Sequence, residues 1–302
     1  MSDPRFPRTA MYGAGRLARA LLPALLDAGY PVVAVVATRL ASARAARRGI
    51  EGCRATTDPV APAAEARLLL LAVPDREIAP LAATLAADRG IDWRRRTVLH
   101  HAGALGLEPL APLGRAGAAV GMLHPLQCLG RSRLAAGLLA GSRARVEAAG
   151  PARRIARRLA RDVGLVPLEL PGRVTQSDRT AYHAAAALVS NDLLALLGIG
   201  IDLLQSVGLR RREALSALLP LIRGTLVQAE RGGLGDALSG PAARGDLATL
   251  EAHLKRLDRL SPDAADAHRS LSLRLLALAR TEGQTLPPSL RRQLRDLKPR
   301  RS

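Results

Sequence analysis

Thr9-Ala10-Met11-Tyr12-Gly13-Ala14-Gly15-Arg16-Leu17-Ala18 is an apolar run that stops at two glycines and passes at once into residues of helical spacing. The spacing is G-x-G-x-x-A, with a predicted strand before it and a predicted helix after it. Gly13 permits a tight turn, Gly15 lets a diphosphate approach the backbone, and Ala18 is small enough for the helix to pack on the strand. The free amides of Ala14, Gly15, Arg16 and Leu17, at the positive end of a helix, suit an anion. The stretch therefore predicts a dinucleotide site.

Outward from that turn, strand and helix alternate. Residues 31–37 and 67–73 are continuous apolar runs, as expected of strands buried on both faces. Shorter strands are predicted at 97–101 and 118–123, then at 143–147 and 166–170 around a helix at 152–162. This alternation indicates an α/β fold with a doubly wound parallel sheet. Asp75 is placed to cap the helix after Val73-Pro74. Pro171-Gly172 breaks the pattern, and only helical periodicity follows, near 174–207, 211–231, 247–259 and 263–282. The predicted domains are thus 1–172, the sheet, and 173–302, all helical. Residues 237–246 read as a structured loop in which Asp246 caps the next helix, and the Arg-rich end, 290–302, reads as frayed.

The net charge of +19 raises the question of nucleic acid. Nearly all of that charge is arginine spread over every segment, with lysine only at Lys255 and Lys298. One Phe, one Trp and three Tyr leave little to stack on bases, so no specific nucleic-acid partner is expected. Cys53 and Cys128 stand far apart, which fits a reducing cytoplasm and gives no zinc spacing. No metal site is expected, and residues 1–8 do not read as a signal peptide. The apolar stretch 181–204 contains Ser190, Asn191, Asp192 and Asp202, which favours a buried soluble helix over a membrane span.

At the end of the second strand, Thr38, Arg39 and Ser42 occur where an NAD enzyme places a carboxylate. Arg39 suits the 2′-phosphate of NADP through paired, charge-assisted hydrogen bonds, unless it is one more surface arginine. Val73 and Pro74 close a strand end and would cover one face of the cofactor. Three polar clusters interrupt apolar sequence: His100-His101-Ala102-Gly103, His124-Pro125-Leu126-Gln127, and Tyr182-His183 followed by Ser190-Asn191. Hydride transfer to a carbonyl or imine needs a proton donor, and histidine titrates in a suitable range. His124 is the first candidate, with His183 and His100 behind it and Asn191 as a substrate contact. Each histidine is equally a structural hydrogen-bonder in the bland reading. Arg244 either neutralises a substrate carboxylate or pairs with Asp246.

Taken in order, the glycine turn, Val73-Pro74-Asp75, His100 with Gly103-Ala104-Leu105, His124-Pro125-Leu126-Gln127, Tyr182-His183-Ala184-Ala185 to Ser190-Asn191, and residues 238–246 resemble one family. It couples a Rossmann-like NADP-binding domain to the domain of unknown function 2520. The resemblance spans about residues 9–260. It is similar in architecture to ketopantoate reductase, pyrroline-5-carboxylate reductase and 6-phosphogluconate dehydrogenase. The resemblance implies a helical domain like the C-terminal domain of the last of these, which often mediates homodimerisation; Tyr182 of the third polar cluster and Arg244 of the 237–246 loop are the candidate substrate contacts. The catalytic lysine of the ketopantoate and 6-phosphogluconate enzymes has no counterpart here. His101-Ala102 also stand where Thr-Ser is expected. The combined expectation is a cytoplasmic, homodimeric NADP-dependent oxidoreductase acting on a small carboxylate-bearing carbonyl, hydroxy acid or imine. A non-catalytic NADP-binding sensor or scaffold is the alternative.

Overall fold

The computed structural model describes residues 6–130, 137–283, 286–287 and 289–296. The chain folds as two compact units, Met1–Leu188 and Val189–Ser302.

In the first unit the elements run β1 (Thr9–Tyr12), α1 (Arg16–Asp27), β2 (Val32–Val36), α2 (Leu40–Ala46), β3 (Arg54–Thr56), α3 (Val60–Glu65), β4 (Leu68–Leu71) and α4 (Asp75–Ala87). They continue through β5 (Thr97–His100), α5 (Ala111–Arg115), β6 (Ala119–Pro125), β7 (Arg143–Ala148), α6 (Gly150–Asp162) and β8 (Val166–Leu168) to the start of α7 (Gln176–Gln205). The eight strands form one sheet in the order β3-β2-β1-β4-β5-β6-β7-β8. Every residue of β1, β2 and β4 is buried, which is why these strands read as unbroken apolar runs. Leu21 and Leu25 of α1 join Ala156 and Leu159 of α6 in the core on one face. Ile78 and Leu85 of α4 and Leu113 of α5 fill the other. Helix α1 ends as its sequence suggests: Gly29, at φ +88°, lets the Gly29 and Tyr30 amides bond back to the carbonyls of Leu26 and Leu25.

The sheet departs from the fully parallel expectation at one place. β7 runs antiparallel to β6, while β8 runs parallel to β7. In the antiparallel pair His124 lies directly opposite Arg145, and Met122 opposite Glu147. Asp75 is not the cap of α4 but its first residue, behind Pro74, and its side chain makes no capping bond. β3 and α3 went unread because three and six residues carry too little periodicity.

The second unit contains the remainder of α7, then α8 (Arg211–Ala237), α9 (Pro241–Arg244), α10 (Leu247–Asp258), α11 (Pro262–Thr281) and α12 (Leu290–Asp296). Helix α8 is broken by Gly233, whose φ of +77° cannot belong to a regular helix. Its core is built from Ala242, Leu250, Leu254, Leu257, Leu276 and Leu294. The predicted loop at 237–246 contains the single helical turn of α9. Asp246 caps α10 as expected, accepting from the Thr249 amide at 3.1 Å and the Thr249 hydroxyl at 2.7 Å. The C-terminal stretch does not fray from residue 290. Leu290 and Leu294 bury one face of α12, and residues 297–302 lie outside the described part of the chain.

One expectation fails outright. The apolar stretch 181–204 is expected to be buried, yet only 6% of the most apolar window of α7 is buried among the described residues, and the helix is long and apolar enough to cross a membrane by length and composition. Leu188, Val189 and Leu194 are 62%, 75% and 61% exposed. The hydrophobic pattern was correct, but among the described residues nothing supplies the surface that would cover it.

Candidate functional site

A cavity of about 510 Å³ opens where β1, β2 and β4 end. Its wall brings together Gly13, Ala14, Gly15, Thr38, Arg39, Ser42, Val73 and Pro74, all singled out from sequence. Tyr12, Thr57, Pro59, Glu77, Leu81 and Thr84 also line it and were not foreseen. Tyr12 ends β1, whereas Thr57 and Pro59 follow β3 and Glu77, Leu81 and Thr84 belong to α4, whose positions follow only from the strand order. Tyr12 is held beneath the cavity by donating its hydroxyl to the Pro59 carbonyl at 2.7 Å.

The glycines differ in what they are for. Gly13 has φ +112°, and a Cβ there would stand 2.1 Å from the Ala72 carbonyl oxygen, so the turn closes against β4 only with glycine. Gly15 caps α1 in extended geometry, and a Cβ there would meet nothing within 4 Å. The space above it is open for a ligand. Arg16 and Leu17 are the first residues of α1 and offer amides that have no partner within the helix. Helix α1 has no acidic residue in its first turn, and the strand-end run Val36-Ala37-Thr38-Arg39 has no carboxylate.

A second cluster lies at the ends of β5, β6 and β7. His100 is fully buried, with its Nδ1 accepting from the Ala102 amide at 3.2 Å. The proton is therefore on Nε2, which donates to the Gly106 carbonyl at 2.7 Å. Both ring nitrogens are thus committed to the backbone, and burial draws the pKa down. His101 donates from Nδ1 to the Leu123 carbonyl, while its buried Nε2 has no partner, and burial draws it down to about 4.

His124 is half-buried and rests on Gly103, where a Cβ would come within 2.8 Å of the imidazole Nε2. A hydrogen bond of 3.1 Å joins His124 Nδ1 and the Tyr182 hydroxyl, and the two rings meet edge to face. Burial first, then the charges of His183, Arg145 and His100, pulls His124 down to about 4. Near neutral pH it is an uncharged hydrogen-bonding group. Burial pushes the Tyr182 phenol up to about 12, with the cation of Arg145 opposing.

Arg145 was missed from sequence. It is 1% exposed, and its guanidinium stands 5.2 Å from the centre of the Tyr182 ring. It donates to the Gly103 carbonyl at 2.8 Å and pairs with Glu147, which in turn pairs with Arg179 of α7. Opposite charges two apart on one face of a short strand, Arg145-Val146-Glu147, were the available signal. His183 is exposed on α7. Asn191 and Arg244 belong to the second unit, Asn191 exposed on α7 and Arg244 at the end of α9. The oxygens of Asp246 are engaged by Thr249 rather than by Arg244.

The fold and cavity define a doubly wound α/β protein of the dinucleotide-binding type, followed by a helical unit. Residues 2–125 match the family described as a Rossmann-like domain, and residues 143–275 match the domain of unknown function DUF2520. The two matches follow one another along the chain, the Rossmann-like match first and the DUF2520 match after it.

No curated protein matches it. Among solved structures it is similar to protein BF3122 from Bacteroides fragilis, to which an NADP oxidoreductase role is attributed. The two are 22% identical over 90% of this chain and 98% of that one, with a TM-score of 0.74. It is also similar to protein TM1727 from Thermotoga maritima, at 20% identity, coverage of 91% and 100%, and TM-score 0.67. A pyrroline carboxylate reductase from Plasmodium falciparum with NADP bound is 13% identical over 89% and 98%, with TM-score 0.58. At such identities the likeness establishes the fold.

Proposed function

We propose that this chain is an NADP-dependent oxidoreductase that moves a hydride to or from a small carboxylate-bearing carbonyl, hydroxy acid or imine. The observation that carries the reading is the cavity at the carboxyl ends of β1, β2 and β4. It combines a glycine turn that tolerates no Cβ, open amides at the start of α1, and Arg39 in place of a carboxylate. In this reading Arg39, Thr38 and Ser42 grip the 2′-phosphate, Gly13 to Leu17 hold the diphosphate, and Val73 and Pro74 flank the dinucleotide. His124 and Tyr182 orient the substrate's reacting oxygen or nitrogen by hydrogen bonds. His183 is a second-rank contact, and His100 holds the loop beneath. The NADP named with the Plasmodium reductase agrees with this choice of cofactor.

The Michaelis constants for NADPH and NADH, in wild type and in Arg39→Ala, test the assignment. The ratio is expected to move toward NADH by about tenfold or more, as loss of a charge-assisted phosphate contact implies. An unchanged ratio removes Arg39 from the site.

The second reading, an NADP-binding sensor, is favoured by the setting of His124: its ring is packed on Gly103 and bonded to Tyr182, and burial pulls its pKa down to about 4, away from the range of a charged proton donor. Steady NADPH oxidation with any of a panel of 2-oxo acids or cyclic imines decides for the enzyme. Binding without turnover decides for the sensor.

The protein is read as a cytoplasmic homodimer. The exposed apolar side chains of α7 and α8, among them Leu194, Leu221 and Leu226, suit a second copy of the chain better than water. Sedimentation at micromolar concentration checks this.

A further inference from the structure

The side chains of Gln176, Arg179 and Tyr182 recur every third residue along the first two turns of α7, and all three reach the strand ends. Gln176 donates to the Ala104 carbonyl at 3.1 Å. Arg179 grips Glu147 with two bonds, Nε to Oε2 at 3.1 Å and a terminal nitrogen to Oε1 at 2.5 Å. Tyr182 meets His124. Glu147 is shared, since Arg145 of the same strand pairs with it while covering the Tyr182 ring. The two terminal nitrogens of Arg145 bond to the Gly103 carbonyl and to Glu147, so its charge is answered within the protein.

A buried Arg-Glu-Arg cluster is a poor way to gain stability, because desolvation offsets most of the attraction and apolar residues of like volume often serve as well. What such a cluster does supply is orientation: a two-pronged guanidinium–carboxylate contact fixes distance and angle together. The fixed object here is the start of α7, one helical turn before His183. Gly106 makes room for it, since a Cβ there would collide with the Arg179 guanidinium at 2.6 Å.

We propose that Glu147 and Arg179 are positioning residues of the site: their ion pair sets the first two turns of α7 on the strand ends so that Tyr182 reaches His124, with Arg145 locking the Tyr182 ring from its face. The inference rests on reading His124 and Tyr182 as the substrate-facing pair. It gives that pair its geometry through residues that touch neither substrate nor cofactor. Around His124 the facing groups are Tyr182 and His183 of α7, Arg145 of β7 and His100 of β5.

The test is side-chain nitrogen NMR of the six histidines in the full-length protein, with the His124 signals assigned by His124→Asn. Tyr182→Phe is expected to move the His124 Nδ1 resonance. Arg179→Met is expected to move it in the same direction, and the double variant to move it no further, since coupled residues are not additive. Glu147→Gln, which keeps the shape and removes the charge, is expected to repeat the Arg179→Met shift and serves if that variant does not fold. A His124 resonance at its wild-type position in folded Arg179→Met or Glu147→Gln overturns the proposal. So does an unchanged resonance in Tyr182→Phe. NADPH affinity should stay within about twofold of wild type in all of them, because the cavity at β1, β2 and β4 is built from other residues. Failure of the wild-type protein to bind NADPH sinks the cofactor reading without altering any of these resonances, so the two failures are distinct.

Discussion

Acidification from about pH 7.5 to about pH 5 should destabilise the first unit by about 2 kcal/mol through His101 alone, as linkage requires of a group held neutral in the fold. The ring is buried, its one proton is given to the Leu123 carbonyl, and Nε2 finds no hydrogen-bond partner among the described residues. Its pKa falls from 6.5 in the free state to about 4 in the fold. Between those values the unfolded chain binds a proton that the folded chain refuses. The stabilisation is therefore complete above the unfolded value and is lost as pH falls toward the folded one. His124 acts in the same direction for the same reason, burial.

The assay is urea unfolding followed by fluorescence of Trp93, the chain's single tryptophan, which is 3% exposed within the first unit. His101→Asn keeps a donor for the Leu123 carbonyl and removes the titration. It should lose about 2 kcal/mol of the pH dependence and keep what His124 and His100, whose pKa values burial also lowers, contribute in the same direction. If His101→Asn shows the same loss of stability between the two pH values as wild type, His101 is not held neutral by burial and the reasoning fails.

Other perturbations separate shape from binding. Gly13→Ala forces a methyl into the Ala72 carbonyl and strains φ, so it should lower the melting temperature and abolish NADPH binding together. Gly15→Ala meets no neighbour and should melt like wild type while losing nucleotide heat in calorimetry. Asp246→Ala removes the α10 cap and should cost about 1 kcal/mol in urea unfolding of the second unit. Leu221→Asp with Leu226→Asp, on the exposed side of α8, should shift sedimentation from dimer to monomer; an unchanged profile refutes that face as the contact.

The apolar strands and the glycine turn were legible because burial on both faces leaves an unbroken run in the sequence, as in Val32-Val33-Ala34-Val35-Val36. Eight residues of the cavity wall could be named in advance because the ends of β1, β2 and β4 follow from those runs. The direction of β7 was not legible, since a six-residue strand reads the same whichever way it is paired. That direction places Arg145 opposite His124, so the ionic cluster was hidden with it. Arg145 and Glu147 look like the charged face of a solvated edge strand until β8 and α7 are in place beside them. The exposure of α7 was hidden for a different reason. An apolar helix announces that something covers it, and does not say whether the cover belongs to its own chain.

The bare start of α1 has a practical consequence. Its first turn pairs open amides with Arg16 and Arg19 and includes no acid to answer them, so the unliganded fold has an electrostatic debt at that point. Small oxyanions in a preparation, such as sulfate or inorganic phosphate, compete for the place a nucleotide diphosphate would take. On the proposed NADP reading, nucleotide affinities measured in phosphate buffer should be weakened by mass action, and the same titration in a buffer of bulky monovalent anions should report a tighter value.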